Sequence, residues 1–218
     1  ITSLDSETQA ADLLFVSTDA LMDAGCTKVE DTLKACAFKN HADFAKWVVS
    51  SKADQVLADT EKSGIGGIGL FFVEDGFYQT FLVTADPVSD KTILGLGFDE
   101  SDAYYKKKNA HYEFGPYVDI PDRVADGTIA GAELPFDQFE EEKMYEYLPY
   151  AVHDNHMVRP YEAIITLRTA DKIGEDSVAL LKKAGQETVK EYADILTHTD
   201  EETLARLKEA GVAETALK

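Results

Sequence analysis

The run Ile65-Gly-Gly-Ile-Gly-Leu-Phe-Phe-Val73 constrains this chain's fold more than any other stretch. It is too short and too rich in glycine to cross a bilayer, which takes about 20 consecutive apolar residues, and its length suits a buried strand. What precedes it is patterned for a helix. Asn40 is an N-cap residue, and Phe44, Trp47, Val48, Ser51 and Leu57 recur at helical spacing up to a stop at Ser63-Gly64. A helix that feeds directly into a buried strand predicts α/β architecture. Ala11 to Thr18, an apolar run with a polar ending, predicts an earlier strand buried in a parallel sheet. Glu74-Asp-Gly76 predicts a turn, with the aromatic cluster Phe77, Tyr78 and Phe81 beyond it.

The middle of the chain continues the alternation. Thr92 to Phe98 predicts a strand, Asp99 to Asn109 a polar helix, Ile120 to Gly127 a short helix and Thr128 to Ala132 another strand. A helix is expected over Phe136 to Tyr147. Strands Leu148 to Val152 and Ala163 to Leu167 then enclose a polar loop, His153-Asp-Asn-His-Met-Val-Arg-Pro160. The last 45 residues are helical, with Leu181, Gly185, Val189, Tyr192 and Leu196 spaced for one buried face. Thr199-Asp-Glu-Glu202 reads as a capping box that opens a final helix through Leu204 and Leu207, stopping at Gly211.

With 218 residues the chain can bury a sizeable core, as one large domain or two small lobes. Its 41 acidic residues against 21 basic ones give a net charge of -20, a field that repels nucleic acid and anionic lipid. The opening Ile1-Thr-Ser-Leu-Asp-Ser is polar, as a processed N-terminus often is, and is compatible with export. Cys26 and Cys36 admit two readings, a small disulfide loop in an oxidising compartment or two free thiols. Neither belongs to a CxxC pair, so they do not indicate a metal.

Motifs for chemistry are weak. Gly64-Ile-Gly66-Gly-Ile-Gly69 has the letters of GxGxxG, but a helix precedes it and a strand follows, the reverse of the phosphate-binding order. A helix stop and a closely approached strand explain it better. His153 and His156, with Asp154 between them, have ligand-like spacing but no third partner in sequence, and hydrogen-bonded histidines are the simpler reading. Asp99-Glu-Ser-Asp102 lacks the glycine and spacing of a calcium loop. No serine sits in a GxSxG elbow and neither cysteine has a histidine partner by spacing, so nothing points to an enzyme, and no cofactor or metal is expected.

Taken in order, several segments resemble the TRAP-transporter extracytoplasmic solute-binding (DctP-like) proteins, from about Ala11 to Gly211. Asp12-Leu-Leu-Phe-Val-Ser-Thr18 with Asn40 to Ala58 looks like the family's first matched strand and helix. Lys62 to Phe77 is similar to its helix, Gly-Ile, strand, Gly-Phe signature. Gly127-Thr-Ile-Ala-Gly-Ala-Glu-Leu-Pro135 resembles G-v-v-D-G-x-E-N-P, and Tyr145 to His156 resembles the run leading to the Asn-His pair before the long C-terminal helices.

The resemblance implies a two-lobed, type II periplasmic-binding-protein-like α/β fold with long C-terminal helices and a first lobe incomplete at its N-terminus. Residues 1–76 and 160–185 would form lobe I, 77–159 lobe II, and 186–218 helices packing across both. It implies a periplasmic or secreted protein that captures a small molecule between its lobes and works with a membrane transporter, or a structural or assembly subunit that has lost binding. An exposed strand edge would call for self-association or a partner strand completing lobe I. The expected ligand-binding residues are Phe72, Phe77, Tyr78, Asp99, Glu133, Asn155, His156, Arg159 and Tyr161. The arginines with which relatives hold a carboxylate are missing. Gly95-Leu-Gly-Phe-Asp-Glu100 stands where G-l-K-i-R belongs, Tyr78 stands at the second arginine, Leu134 at the asparagine before proline and Ala130 at the aspartate between glycines. A cationic, neutral or aromatic ligand is therefore easier to accommodate than an organic acid.

Overall fold

The computed structural model describes residues 11–217. The polar opening from Ile1 and the first ten residues of the expected lobe I lie outside them.

The chain opens with strand β1 (Leu13–Ser17), helix α1 (Thr18–Asp23), a 3-10 turn (Thr27–Val29) and α2 (Glu30–Leu33). Helices α3 (His41–Val48) and α4 (Ser51–Lys62) lead into the long strand β2 (Gly67–Leu82). There follow β3 (Thr92–Gly95), α5 (Asp99–Lys106), β4 (His111–Phe114), a turn at Tyr117–Asp119, α6 (Ile120–Ala125), β5 (Gly131–Pro135), α7 (Phe136–Glu141) and a turn at Met144–Glu146. The second long strand, β6 (Tyr150–Thr166), runs into α8 (Leu167–Ile173), α9 (Glu175–Glu209) and the short β7 (Ala213–Glu214).

The chain divides into two compact units. Unit 1 is Ile1–Lys34 (described from residue 11), Phe38–Asp75 and Arg159–Leu196; unit 2 is Ala35–Ala37, Gly76–Val158 and Thr197–Lys218 (described to residue 217). Strands β2 and β6 each contribute one half to either unit.

In unit 1, β1 pairs antiparallel with β6, from Leu13 opposite Ile165 to Ser17 opposite Tyr161. It ends the strand order β1-β6-β2-β5-β3-β4 among the described residues, with Leu13 and Phe15 46% and 55% exposed. The expected buried, parallel strand is thus an antiparallel end strand with an apolar face left open. Leu70, Ala163, Ile165 and Ala170 form a core layer against Ile68, Phe71, Ile173 and Val178. A second layer links Phe38, Phe44, Trp47 and Phe72 through ring contacts of 4.9–5.9 Å. Gly185 lets α9 approach this unit's sheet closely, since a Cβ there would lie 2.1 Å from the ring of Phe71. Along α9, Gly185, Val189 and Ala193 are buried and Leu181 and Tyr192 are exposed, so the inward stripe takes Ala193 in place of Tyr192 and leaves Leu181 out.

In unit 2, β2 pairs antiparallel with β5, and β3 lies parallel between β5 and β4. Phe81 stacks on Phe139 at 3.5 Å within a core that includes Leu94, Ile120, Leu134, Phe136, Leu148 and Leu207. Each such side chain contributes about 1.5–3 kcal/mol of burial.

Four other expectations are corrected. The single helix from Asn40 to Ser63 is two: Asn40 caps α3 by accepting from Asp43 N at 2.9 Å, and Ser50 caps α4 through Ala53 N at 3.3 Å. The turn at Glu74-Asp-Gly76 is absent because β2 runs straight through it, with Glu74 buried against His41. The loop from His153 to Pro160 is the middle of β6, with Asn155 in a left-handed conformation (φ 44°) inside the strand. Thr199 to Glu202 caps nothing, because α9 is continuous through them and ends near Gly211 (φ 101°).

Candidate ligand-binding site

The densest polar cluster of unit 2 gathers on strands β2, β5 and β6 beneath α5. Strand periodicity puts Asp154 and His156, two residues apart on β6, on one face, and β5 sets Glu133 beside them. His156 has no exposed surface. Its Nε2 lies 2.8 Å from Glu133 Oε2 and its Nδ1 3.1 Å from Asp154 Oδ1. Two carboxylate neighbours ask both ring nitrogens to donate, which only the imidazolium can do. Burial opposes that charge, but Asp154 and Glu133 outweigh it and raise the His156 pKa to about 9. Burial likewise opposes ionisation of Asp154, and the imidazolium together with three hydrogen-bond donors holds its pKa below the usual value.

The remaining lone pairs are taken by neutral donors. Thr80 Oγ1 and Tyr104 Oη donate to Asp154 Oδ2 at 2.8 and 3.0 Å, and Thr80 N donates to Oδ1 at 3.2 Å. Tyr105 Oη lies 2.8 Å from Thr80 Oγ1, and Tyr112 donates to Glu133 Oε1. Burial and the neighbouring carboxylates keep the Tyr104 and Tyr112 phenols protonated far above their usual range. Tyr104 stacks on the His156 ring at 4.7 Å, and Lys108 Nζ lies 5.6 Å from the centroid of the Tyr104 ring. The cluster reaches solvent through half-buried Tyr104 and the partly open Asp154. Beside it, the Gln79 side chain accepts from Asn155 N at 2.9 Å and donates back to Asn155 Oδ1, fixing the left-handed residue.

The other expected residues are dispersed. Phe77 and Tyr78 are buried in unit 2, Tyr78 edge-on to Phe98 at 5.8 Å. Asp99 is exposed in the first turn of α5. Phe72 is fully buried in unit 1 against Trp47. Also in unit 1, Arg159 donates to Asp19 Oδ2 from Nε and Nη2 at 3.2 and 2.6 Å, and Tyr161 donates to Asp75, whose pKa burial raises to about 6. His153 is exposed, edge-on to Phe136 at 5.3 Å, so it does not share a site with buried His156. No group of three His, Cys, Asp or Glu among the described residues has the geometry to hold a metal. Cys26, buried, and Cys36, exposed, are both free thiols. With β6 read as a loop, Asp154 is only the spacer between two histidines, and Thr80, Tyr104, Tyr105 and Tyr112 carry no local signal.

The family profile of bacterial extracellular solute-binding protein, family 7 (DctP), matches residues 102–218, just over half of the chain. The chain belongs to that family. Similar solved structures include a TRAP periplasmic solute binding protein from Citrobacter koseri in an apo, open structure. It has a TM-score of 0.81 and 15% identity, over 96% of this chain and 72% of that one. Another is from Xanthobacter autotrophicus Py2 with bound β-D-galacturonate, at TM-score 0.71 and 19% identity over 96% and 70%. A third is from Pseudomonas aeruginosa PAO1 with bound L-malate, at TM-score 0.70 and 15% identity over 95% and 73%. These likenesses establish the fold, a type II periplasmic-binding α/β arrangement. No curated protein matches the sequence.

Family 7 proteins are periplasmic receptors that work with membrane transporter components. No helix among the described residues is long and apolar enough to cross a membrane. At the positions where the resemblance leads one to expect carboxylate-gripping arginines, this chain has no cation. Leu134 is buried in the unit 2 core, Tyr78 packs on Phe98, and Gly97, left-handed at φ 85°, precedes the exposed Asp99.

Proposed function

We propose that this chain is a receptor for a small uncharged or cationic solute, delivered to a membrane transporter as family 7 receptors do. The observation that carries the reading is the bridge of His156 between Glu133 and Asp154. One positive charge is committed to two carboxylates, so the cluster keeps a net negative charge where Tyr104 and Asp154 reach the surface of unit 2. A carboxylate arriving there meets repulsion, which an uncharged or cationic solute does not. Asp154 and Tyr104 are the direct contacts in this reading; Glu133 and His156, with no exposed surface, hold them in place.

Melting curves with matched probes test it: D-galactose against D-galacturonate, and malamide against L-malate. A ligand at a hundred times its Kd adds about 2.7 kcal/mol of stability, enough to shift the melting temperature by several degrees. The uncharged member of a pair should give the larger shift. A larger shift from galacturonate or malate overturns the preference.

A second reading, a structural subunit that kept the fold and lost binding, draws on one observation. Phe72, Phe77, Glu133 and His156, all expected at the ligand, are 0–2% exposed. The absence of a shift with every probe would favour it.

A further inference from the structure

Among the described residues, Cys36, Asp90, Asn109, Lys143 and Asn155 are the non-glycine residues with a left-handed backbone. The others stand in turns, where that conformation is ordinary, but Asn155, at φ 44°, lies inside β6. A left-handed residue within a strand breaks the alternation of faces and has to be held there. The burial of β6 shows the break, since His156, Met157 and Val158 are buried in succession.

What holds Asn155 is Gln79 of β2, which has no exposed surface. Gln79 Oε1 accepts from Asn155 N at 2.9 Å, while Nε2 donates to Asn155 Oδ1 and, at 3.2 Å, to Phe77 O. The next residue, Thr80, gives both its N–H and its hydroxyl to Asp154, at 3.2 and 2.8 Å, and stands opposite Glu133 in the register of β2 with β5. Successive residues of β2 therefore hold successive residues of β6, Thr80 on Asp154 and Gln79 on Asn155. On the other side of the kink, Cys36 N donates to His156 O at 2.8 Å, so the histidine backbone is tied down immediately after it. Asn155 is the link between the Asp154 carboxylate and the His156 ring. Its φ decides whether Nδ1 can reach Asp154 at 3.1 Å while Nε2 reaches Glu133 at 2.8 Å. Were Asn155 extended, as strand residues ordinarily are, the chain after it would turn relative to Asp154 and one of the two contacts would open.

We propose that Gln79 is a positioning residue of the unit 2 site, which holds Asn155 left-handed and through that kink keeps the His156 ring on Asp154 and Glu133 at once. The inference rests on the reading of this cluster as the solute-facing site, but its test needs no solute. A glutamine that only filled the interior would change stability and leave the titration of the ring where it was.

The His156 ring is titrated by NMR in the whole chain and its variants. The titratable groups that face it are Asp154 on its own strand, Glu133 on β5, and Tyr104 and Tyr105 on α5, with Tyr112 of β4 behind Glu133 and Cys36 beside its carbonyl; no variant alters any of them. Gln79→Met removes the clasp at nearly constant volume and should lower the His156 pKa, about 9 in the wild type, by about one pH unit or more, a tenfold loss of proton affinity. Gln79→Asn, too short by one methylene, should give a smaller change in the same direction. Asn155→Val, whose β-branched side chain rejects the left-handed region, should reproduce the Gln79→Met result from the other end of the clasp. Asn155→Gly keeps both the N–H and the left-handed φ and should titrate as the wild type does. Ile120→Ala, in the phenylalanine core of unit 2, should lower the melting temperature without moving the titration. A wild-type titration in Gln79→Met, Gln79→Asn or Asn155→Val, or an equal loss in Asn155→Gly or Ile120→Ala, overturns the proposal. If these shifts appear while galacturonate or malate wins in the melting curves, the solute preference falls and the role of Gln79 stands.

Discussion

Strand β6 carries buried acids into both units, and the two halves of the strand treat them differently. In unit 2, Asp154 and its partner Glu133 are surrounded by one imidazolium, three tyrosine hydroxyls and Thr80, and no polar atom of the cluster is left without a partner. In unit 1, Glu162 has a single donor, Thr60, and Glu74, though bound to His41 at 2.6 Å, also leaves one oxygen unpartnered. The consequence is opposite protonation. Asp154 is held ionised below the usual carboxylate range, while burial pushes Glu162 up to about 8, so that it is neutral at pH 7. A buried carboxylate takes its charge state from the donors around it rather than from burial alone.

The sharpest way to break this contrast is to remove the cation. His156→Leu leaves two buried carboxylates without their counter-charge and should destabilise the protein by about 3–5 kcal/mol in urea unfolding at pH 7. A loss under 1 kcal/mol would mean that the pair is not ionised. Glu162→Gln should act in the opposite direction. The folded-state pKa of Glu162, about 8, lies above its ordinary 4.5, so its stabilising protonation is complete below pH 4.5 and is lost as pH rises through 8. Glutamine removes that loss but keeps an unpartnered carbonyl, so the variant should gain about 2–4 kcal/mol over wild type at pH 9 and little at pH 4.5. A pH-independent difference would contradict the assignment. The smallest effect belongs to Tyr161→Phe, which removes one donor from Asp75. It should cost about 0.5–1.5 kcal/mol and move the Asp75 pKa further above 6, read from a carboxyl NMR titration.

The sequence showed what local chemistry decides. Asn40 caps α3, Gly64, Gly127 and Gly211 stand left-handed at φ 81°, 74° and 101° just past helix ends, and α5 begins at Asp99 as its pattern predicts. It hid what depends on distant partners. His153-Asp-Asn-His156 has the composition of a loop, and only the donors that Thr80 and Tyr104 give Asp154 and the acceptor that Glu133 gives His156 make it tolerable as a buried strand. Glu74-Asp-Gly76 has the composition of a turn, yet His41 from α3 pairs Glu74 inside a continuous β2. The capping box at Thr199 fails because Thr203 and Leu207 keep the helix packed beyond it. Of the residues expected at a ligand, Glu133 and His156 are hydrogen-bonded to each other and Asn155 lies beside them on Gln79; the resemblance, and not local chemistry, singled these three out. Asp154, which closes the cluster, stood in the sequence only as the residue between two histidines.

The central claim is that His156 is an imidazolium held between two carboxylates, which turns this surface of unit 2 away from organic acids. An NMR titration of the His156 ring tests it most directly. The folded-state pKa, raised to about 9 from an ordinary 6.5, predicts both ring nitrogens protonated through pH 8, with stability from this pair complete below pH 6.5 and lost as pH rises through 9. A ring that titrates at or below 6.5, with one nitrogen unprotonated at pH 7, would contradict the account.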